Sequence, residues 1–209
     1  MDGQTFVDEL EAAKATQLDR LGSGKLLVAL TDATLSEDRV LEAAAASEYA
    51  AAETFHGWAA DESDDGAREA FEAVAAQEDE HLERVRERME AFEPPTAPGP
   101  MHAYLRGRED TVERIATGMV ARPLVSVRTH TQVISFYINE ADQAAADLFR
   151  DLKAETEAVV DDGVALLAER CAGDDWERAQ AAGEYLIQVA YDDFADALSG
   201  LGMNPKSIC

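Results

Sequence analysis

Apolar side chains recur every three or four positions along most of this chain, and that spacing is the feature that most limits its fold. One such run is Phe71, Val74, Val85 and Met89, which share one face of a helix because a helix turns once in about 3.6 residues. No stretch alternates convincingly with the period of two that is typical of a β-strand. The sequence therefore predicts an all-α protein.

Two ionisable residues, Glu78 and His81, lie on this apolar face. They fall at three- and four-residue steps between Val74 and Val85, so both side chains are expected to point into the protein. A buried carboxylate or imidazole is costly unless a partner compensates it. Glu-x-x-His on an inward helix face is also how some four-helix bundles present metal ligands. The alternative interpretation is an acidic, solvent-exposed helix turn, of which this chain has many.

A third residue of this kind, Glu48, lies on the preceding helix, which is predicted over residues 36–62. The loop at 63–66 is short, so the two helices are expected to be antiparallel neighbours. Positions equally far from the loop then lie at one level, which places Glu48 opposite His81. A second Glu-x-x-His, at 53–56, falls more than a turn away and is interpreted as a surface pair.

The chain is predicted to form a single helical domain with a stiff, proline-rich crossover near its middle. The predicted parts are an N-terminal helical extension (1–35), a first helix pair (36–92), the crossover (93–101), a second helix pair (102–172) and a C-terminal helix with a tail (174–209). Helices are predicted over about 4–21, 25–30, 36–62, 67–92, 102–121, 125–139, 140–171 and 176–198, with Pro123 restarting or kinking the chain.

The charge balance excludes several classes of partner. There are 43 acidic and 18 basic residues among 209, a formal net charge of −25, so we expect no nucleic-acid partner and no membrane association. Acidic residues spread over periodic helices are typical of a high-salt cytoplasm, as in halophilic archaea, where salt screens self-repulsion. A cytoplasmic location is expected, since the opening residues do not resemble a signal peptide. Cys171 and Cys209 do not form a Cys-x-x-Cys metal motif.

Between residues 41 and 92 the chain resembles a rubrerythrin-like member of the ferritin-like superfamily. The matching residues are Glu48, Phe55, Trp58, Ala59, Gly66, Phe71 and the pair Glu78-x-x-His81. The resemblance implies a ferritin-like four-helix bundle in which each helix pair supplies one Glu from its first helix and a Glu-x-x-His from its second, together holding two iron ions. By that pattern Glu48, Glu78 and His81 are the metal ligands of the first half-site.

The second half of the chain departs from this pattern. Thr156 and Val159 occupy the positions of the second Glu-x-x-His, and the remaining Glu position falls near Ser126. Glu155 and His130 lie beside these positions, and either could supply a missing ligand. Three ligands can still hold a single divalent ion with open positions.

Three functions remain open at this point, one of which is iron storage in a shell-forming assembly. The other two differ in whether the chain is an enzyme. One is an iron- or peroxide-handling oxidoreductase, with iron or possibly manganese bound and an unknown redox partner. The alternative is a non-catalytic ferritin-like scaffold that has lost its di-iron site. A homodimer through the apolar helix at 124–138 is a further expectation.

Overall fold

A computed structural model describes residues 2–206, and within that range the chain forms helices and turns without a β-strand. The helices are α1 (Gly3–Ala13), α2 (Ala15–Leu21), α3 (Lys25–Leu30), α4 (Glu37–Asp61), α5 (Asp65–Arg86), α6 (Pro100–Arg106), α7 (Thr111–Arg114), a π-helical segment (Ile115–Ala121), α8 (Arg122–Asn139), α9 (Gln143–Arg170) and α10 (Asp175–Gly200). The predicted all-α fold class is confirmed. Cys209 lies outside the described residues. None of the helices between residues 2 and 206 is long and apolar enough to cross a bilayer.

Four long helices, α4, α5, α8 and α9, form a central bundle. Short connections join α4 to α5 and α8 to α9, so each pair packs as antiparallel neighbours. Helix α5 also packs against α9, while α10 packs against the π-helical segment, α6 and the three N-terminal helices. The start of α5 is fixed by Asp64, whose carboxylate accepts the backbone N–H of Ala67. The same carboxylate pairs with Arg170 at the end of α9.

A polar layer divides the hydrophobic core of this bundle into two parts. On one side, the rings of Phe55, Trp58 and Phe71 pack with centroids 5.3 to 5.9 Å apart. On the other side, Tyr137 stacks on Phe149 at 5.7 Å. The buried polar residues between the two clusters come from all four bundle helices and are Glu48, Glu78, His81, Arg122, Ser126, His130 and Thr156. Such a layer stabilises the fold only if its members satisfy one another.

The π-helical segment leads directly into the polar layer. Its last hydrogen bond runs from the backbone N–H of Arg122 to the carbonyl of Thr117, five residues back. The helix then continues through Pro123, because the change of hydrogen-bond register lies where the missing N–H of proline is least disruptive. Helix α8 accordingly begins at Arg122 with Pro123 in its first turn, next to the predicted restart or kink.

Several predicted helix ends are corrected. The helix expected over 102–121 breaks after Arg106, and a new one starts where the Asp110 carboxylate accepts the N–H of Glu113. The helix expected over 4–21 divides at Lys14, and α5 ends at Arg86, well before residue 92. Capping residues and packing determine where these helices end, and the spacing of apolar residues alone does not predict it.

Gly163 tests how closely the π-helical segment packs on α9. A Cβ at this position would lie 2.8 Å from the Cβ of Met119 and 3.1 Å from its carbonyl oxygen. We expect Gly163→Ala to lower the free energy of unfolding by about 1–3 kcal/mol through overpacking, although Ala is the better helix former. Urea denaturation followed by circular dichroism measures the change.

Gly57 provides the matched control. It also lies inside a helix, but a Cβ there would meet no atom within 4 Å. Gly57→Ala is therefore expected to raise the free energy of unfolding by about 0.5–1 kcal/mol. A Gly163→Ala protein as stable as Gly57→Ala would contradict the close packing described here.

Candidate metal centre

The three residues predicted as metal ligands come together in the polar layer. Glu48 of α4 and Glu78 and His81 of α5 are 3%, 0% and 0% exposed. Each offers one ligand atom, and these atoms all lie within 4.8 Å of one another. The short α4–α5 loop produces this meeting, since it sets Glu48 and His81 at the same height in an antiparallel pair.

Each buried carboxylate has one oxygen held from the opposite helix, α8. Arg122 Nη2 donates to Glu78 Oε1 at 2.6 Å, and the Arg122 Nε–H donates to the carbonyl of Gly118. Glu48 Oε1 lies 3.2 Å from His130 Nε2. These contacts orient both carboxylates and leave their Oε2 atoms pointing toward His81.

The second oxygens and the His81 ring form a converging set of ligand atoms. His81 Nδ1 lies 3.9 Å from Glu48 Oε2 and 3.9 Å from Glu78 Oε2, too far for a hydrogen bond. Glu78 Oε2 and His81 Nδ1 are both buried without a hydrogen-bond partner among the described residues. Buried polar atoms of this kind are uncommon in folded proteins, and an ion is one explanation for them.

Glu155 fixes which nitrogen of His81 faces the carboxylates. Its Oε2 lies 2.7 Å from His81 Nε2, and Arg84 donates to both of its oxygens at 3.1 and 3.0 Å. Burial raises the pKa of Glu155, but these hydrogen bonds outweigh it and lower the pKa overall. An ionised carboxylate only accepts, so Nε2 carries the proton, and in the neutral ring Nδ1 keeps its lone pair. A carboxylate behind the ring is the usual support for a metal-binding histidine.

The electrostatics of the layer favour a cation among these atoms. Burial raises the pKa of Glu48, but the contact with His130 and the proximity of His81 hold it well below its ordinary value. Burial, with the neighbouring Glu48, raises the pKa of Glu78 to about 8 despite Arg122. Burial lowers the pKa of His81, yet the surrounding carboxylates raise it overall. The carboxylates that raise the pKa of His81 would also attract a metal cation, because a proton and a cation both neutralise their charge.

The geometry fits one ion and not two. Two atoms that each lie about 2.1 Å from a shared ion are at most about 4.2 Å apart, and both 3.9 Å pairs meet that limit. A second ion would need the Oε1 atoms, which Arg122 and His130 hold. The guanidinium of Arg122 also brings a positive charge to Glu78, which opposes a second cation.

At positions 156 and 159, helix α9 presents neither a carboxylate nor an imidazole to the polar layer. Thr156 is buried and its hydroxyl donates to the carbonyl of Leu152, while Val159 belongs to the hydrophobic core. His130 and Glu155, the two residues that could have supplied ligands, instead hold Glu48 and His81 in place.

The structure also resolves the second Glu-x-x-His and adds a residue that the sequence did not point to. In the other Glu-x-x-His, His56 is exposed and pairs with Asp79 at 2.8 Å, as predicted for a surface pair. Arg122 was missed by the sequence reasoning. Its signal is a single basic residue inside the long apolar run from Ile115 to Val127, where a buried charge needs an acidic partner.

A second buried histidine, His102 of α6, lies above the polar layer. Its Nδ1 is 3.2 Å from the hydroxyl of Thr54, to which Arg106 Nε also donates. Its Nε2 is buried without a hydrogen-bond partner among residues 2–206. Burial, with Arg122 and Arg106 nearby, lowers the pKa of His102 to about 3, so the ring is neutral near pH 7.

No protein-family model, curated protein or solved structure matches this chain. Its functional assignment therefore depends on the chemistry of the polar layer itself.

Replacing Arg122 tests the ion pair that organises the layer. Arg122→Met removes the positive charge while keeping a long side chain, and leaves Glu78 Oε1 unpaired in the core. We expect the metal-free variant to lose about 3 kcal/mol of unfolding free energy at neutral pH, measured by urea denaturation with a chelator present. Arg150→Met removes an exposed partner of Asp147 and is expected to cost at most about 1 kcal/mol. Equal losses in the two variants would show that the buried pair does not organise the layer.

His102 predicts a specific loss of stability in acid. The unfolded chain binds a proton at His102 below about pH 6.5, whereas the folded chain does so only near pH 3. Folding is therefore destabilised as the pH falls through this window, by about 1.4 kcal/mol per pH unit. Between pH 7 and pH 5, wild type should lose about 2 kcal/mol more than His102→Gln. Denaturation curves at both pH values measure this, and identical pH dependence in the two proteins would contradict it.

Proposed function

We propose that this protein binds one divalent metal ion through Glu48, Glu78 and Nδ1 of His81. The observation that carries the proposal is the pair of buried, unpartnered ligand atoms, Glu78 Oε2 and His81 Nδ1, that face Glu48 Oε2. Two carboxylates and one imidazole form a harder ligand set than a histidine-rich site. Such a set suits Fe²⁺ or Mn²⁺ better than copper.

The proposed activity is that of a rubrerythrin-like oxidoreductase of the ferritin-like superfamily that handles iron or peroxide. An ion held by three protein ligands retains open positions and would supply one-electron exchange with a small oxidant. In this proposal Glu155 and Arg84 hold the His81 ring in its binding tautomer, and Arg122 balances the charge of the second carboxylate. Hydrophobic clusters lie on both sides of the polar layer, and Glu48, Glu78 and His81 are at most 3% exposed.

The alternative is a ferritin-like scaffold that has lost its metal altogether. The ion pair between Arg122 and Glu78 favours it, because the guanidinium already compensates one of the two carboxylates. Against it stands the geometry of His81, whose Nδ1 has no hydrogen-bond acceptor within reach even when protonated. We therefore rank the single-ion site first.

The wider setting belongs to the same proposal. A cytoplasmic protein of a high-salt cell explains the net charge of −25. Most apolar residues of α8 face the bundle, but Ile138 is 52% exposed. A homodimer through this helix would therefore use its outer side around Ile138. An electron donor for the metal would be a separate redox partner.

Metal analysis of matched variants tests the proposal. Protein purified without chelators and titrated with Fe²⁺ or Mn²⁺ under anaerobic conditions should bind one ion per chain. Glu78→Gln and His81→Ala are expected to abolish this binding, and Glu155→Gln to weaken it about 10–100-fold because it supports the ligand from behind. His56→Ala, which removes the exposed histidine, should bind like wild type.

The scaffold alternative predicts a different outcome. Wild type would bind no stoichiometric metal, and His81→Ala and His56→Ala would be indistinguishable in metal content. Binding of two ions per chain would contradict the single-ion site.

A further inference from the structure

A second site adjoins α8, in a cavity of about 160 Å³ that we call the Ser126 cavity. Helices α3, α4, α8 and α10 surround it. Its walls are largely apolar and include Leu21, Leu26, Leu30, Met101, Val125 and Phe194. A cavity of about 150 Å³ with apolar walls is large enough to hold a molecule of the size of benzene. The volume therefore limits an occupant to a small molecule.

Three hydroxyl groups point to what such a molecule carries. Hydroxyls within a helix or at its C-terminal end often donate to the carbonyl four residues earlier. Among residues 2–206, seven hydroxyls do so: Thr31, Thr54, Thr117, Thr131, Ser135, Thr156 and Ser199. Ser47, Ser126 and Thr129 do not, and no other partner is recorded for them among the described residues. All three line the cavity.

Ser126 is the deepest of these groups. It is only 8% exposed, and no hydrogen-bond partner is present for its hydroxyl among the described residues. A ligand group that pairs with this hydroxyl would gain a hydrogen bond in a largely enclosed position. Ser47 and Thr129 are half-buried, which leaves them available to the same polar group of a ligand.

The charge around the cavity excludes an anionic ligand. Asp193 lies at the rim and the chain carries a net charge of −25. We propose that the Ser126 cavity binds a small neutral molecule with an apolar body and one hydroxyl group, an alcohol or a phenol. The apolar walls receive the body, and Ser126 pairs with the hydroxyl.

The cavity and the polar layer meet at Ser126. Arg122, Ser126 and His130 are spaced by four along α8, so they share one stripe of that helix. Arg122 contacts Glu78 and His130 contacts Glu48. A ligand on Ser126 therefore lies beside the residues that orient the carboxylates. This inference does not depend on a bound metal, and its test uses metal-free protein.

Phenol and benzene are the probes, since they differ by the hydroxyl group. Titration of the ¹⁵N-labelled, metal-free protein should give saturable shifts of the backbone amides near Ser126 and Phe194 with both. Ser126→Ala should weaken the binding of phenol about threefold to tenfold, which corresponds to the loss of one neutral hydrogen bond. The affinity for benzene should not change. Ala43→Leu fills the cavity and should abolish binding of both probes.

Ala165→Leu is the matched control, because Ala165 lines a separate groove between α5 and α9. It should bind both probes like wild type. The proposal is overturned if neither probe gives saturable shifts in wild type, if Ala43→Leu and Ala165→Leu bind equally, or if Ser126→Ala weakens benzene as much as phenol. Since Ser126→Ala is a minimal change, the comparison of the two probes stands even if Ala43→Leu fails to fold.

Discussion

The structure depends on the burial of two carboxylates, Glu48 and Glu78, in the middle of a helical bundle. Neither can remain in the core unless cationic groups and hydrogen-bond donors compensate it. The compensation comes from the other side of the bundle, with Arg122 on Glu78 and His130 on Glu48. Because each contact needs a particular height along its helix, these two contacts set the register of α8 against α4 and α5. The hydrophobic residues above and below it then form two separate aromatic clusters.

Arg122 makes this layer asymmetric. In a site that held two ions, the second helix pair would present carboxylates where α8 presents a guanidinium. Here the outer oxygens of both glutamates are occupied by protein groups, and only the inner oxygens and the His81 ring are arranged to share an ion. The π-helical segment before Arg122 changes the hydrogen-bond register at this point, as π-helical turns often do at functional sites. The close approach of Gly163 to Met119 packs that segment firmly against α9.

The sequence was sufficient for the all-α class, the α4–α5 pair and the meeting of Glu48 with His81, because a short loop between two long periodic helices leaves little freedom. It was not sufficient for Arg122. Pro123 suggests a helix restart, and only the π-helical register shows how the helix passes through it. Nor did it resolve the roles of Glu155 and His130, since a residue beside a stripe can face either a ligand or a neighbour. The Ser126 cavity depends on which hydroxyls lack an i−4 bond, and sequence does not record this.

The central claim is that one ion, and only one, is held by the inner atoms of this layer. Anomalous diffraction from crystals grown with Mn²⁺ tests it most directly, because it locates each bound ion independently of its ligands. The account predicts a single peak per chain, bonded to Oε2 of Glu48, Oε2 of Glu78 and Nδ1 of His81, with Arg122 still paired to Glu78. Two peaks with Arg122 displaced, or no peak in the polar layer at saturating Mn²⁺, would contradict it.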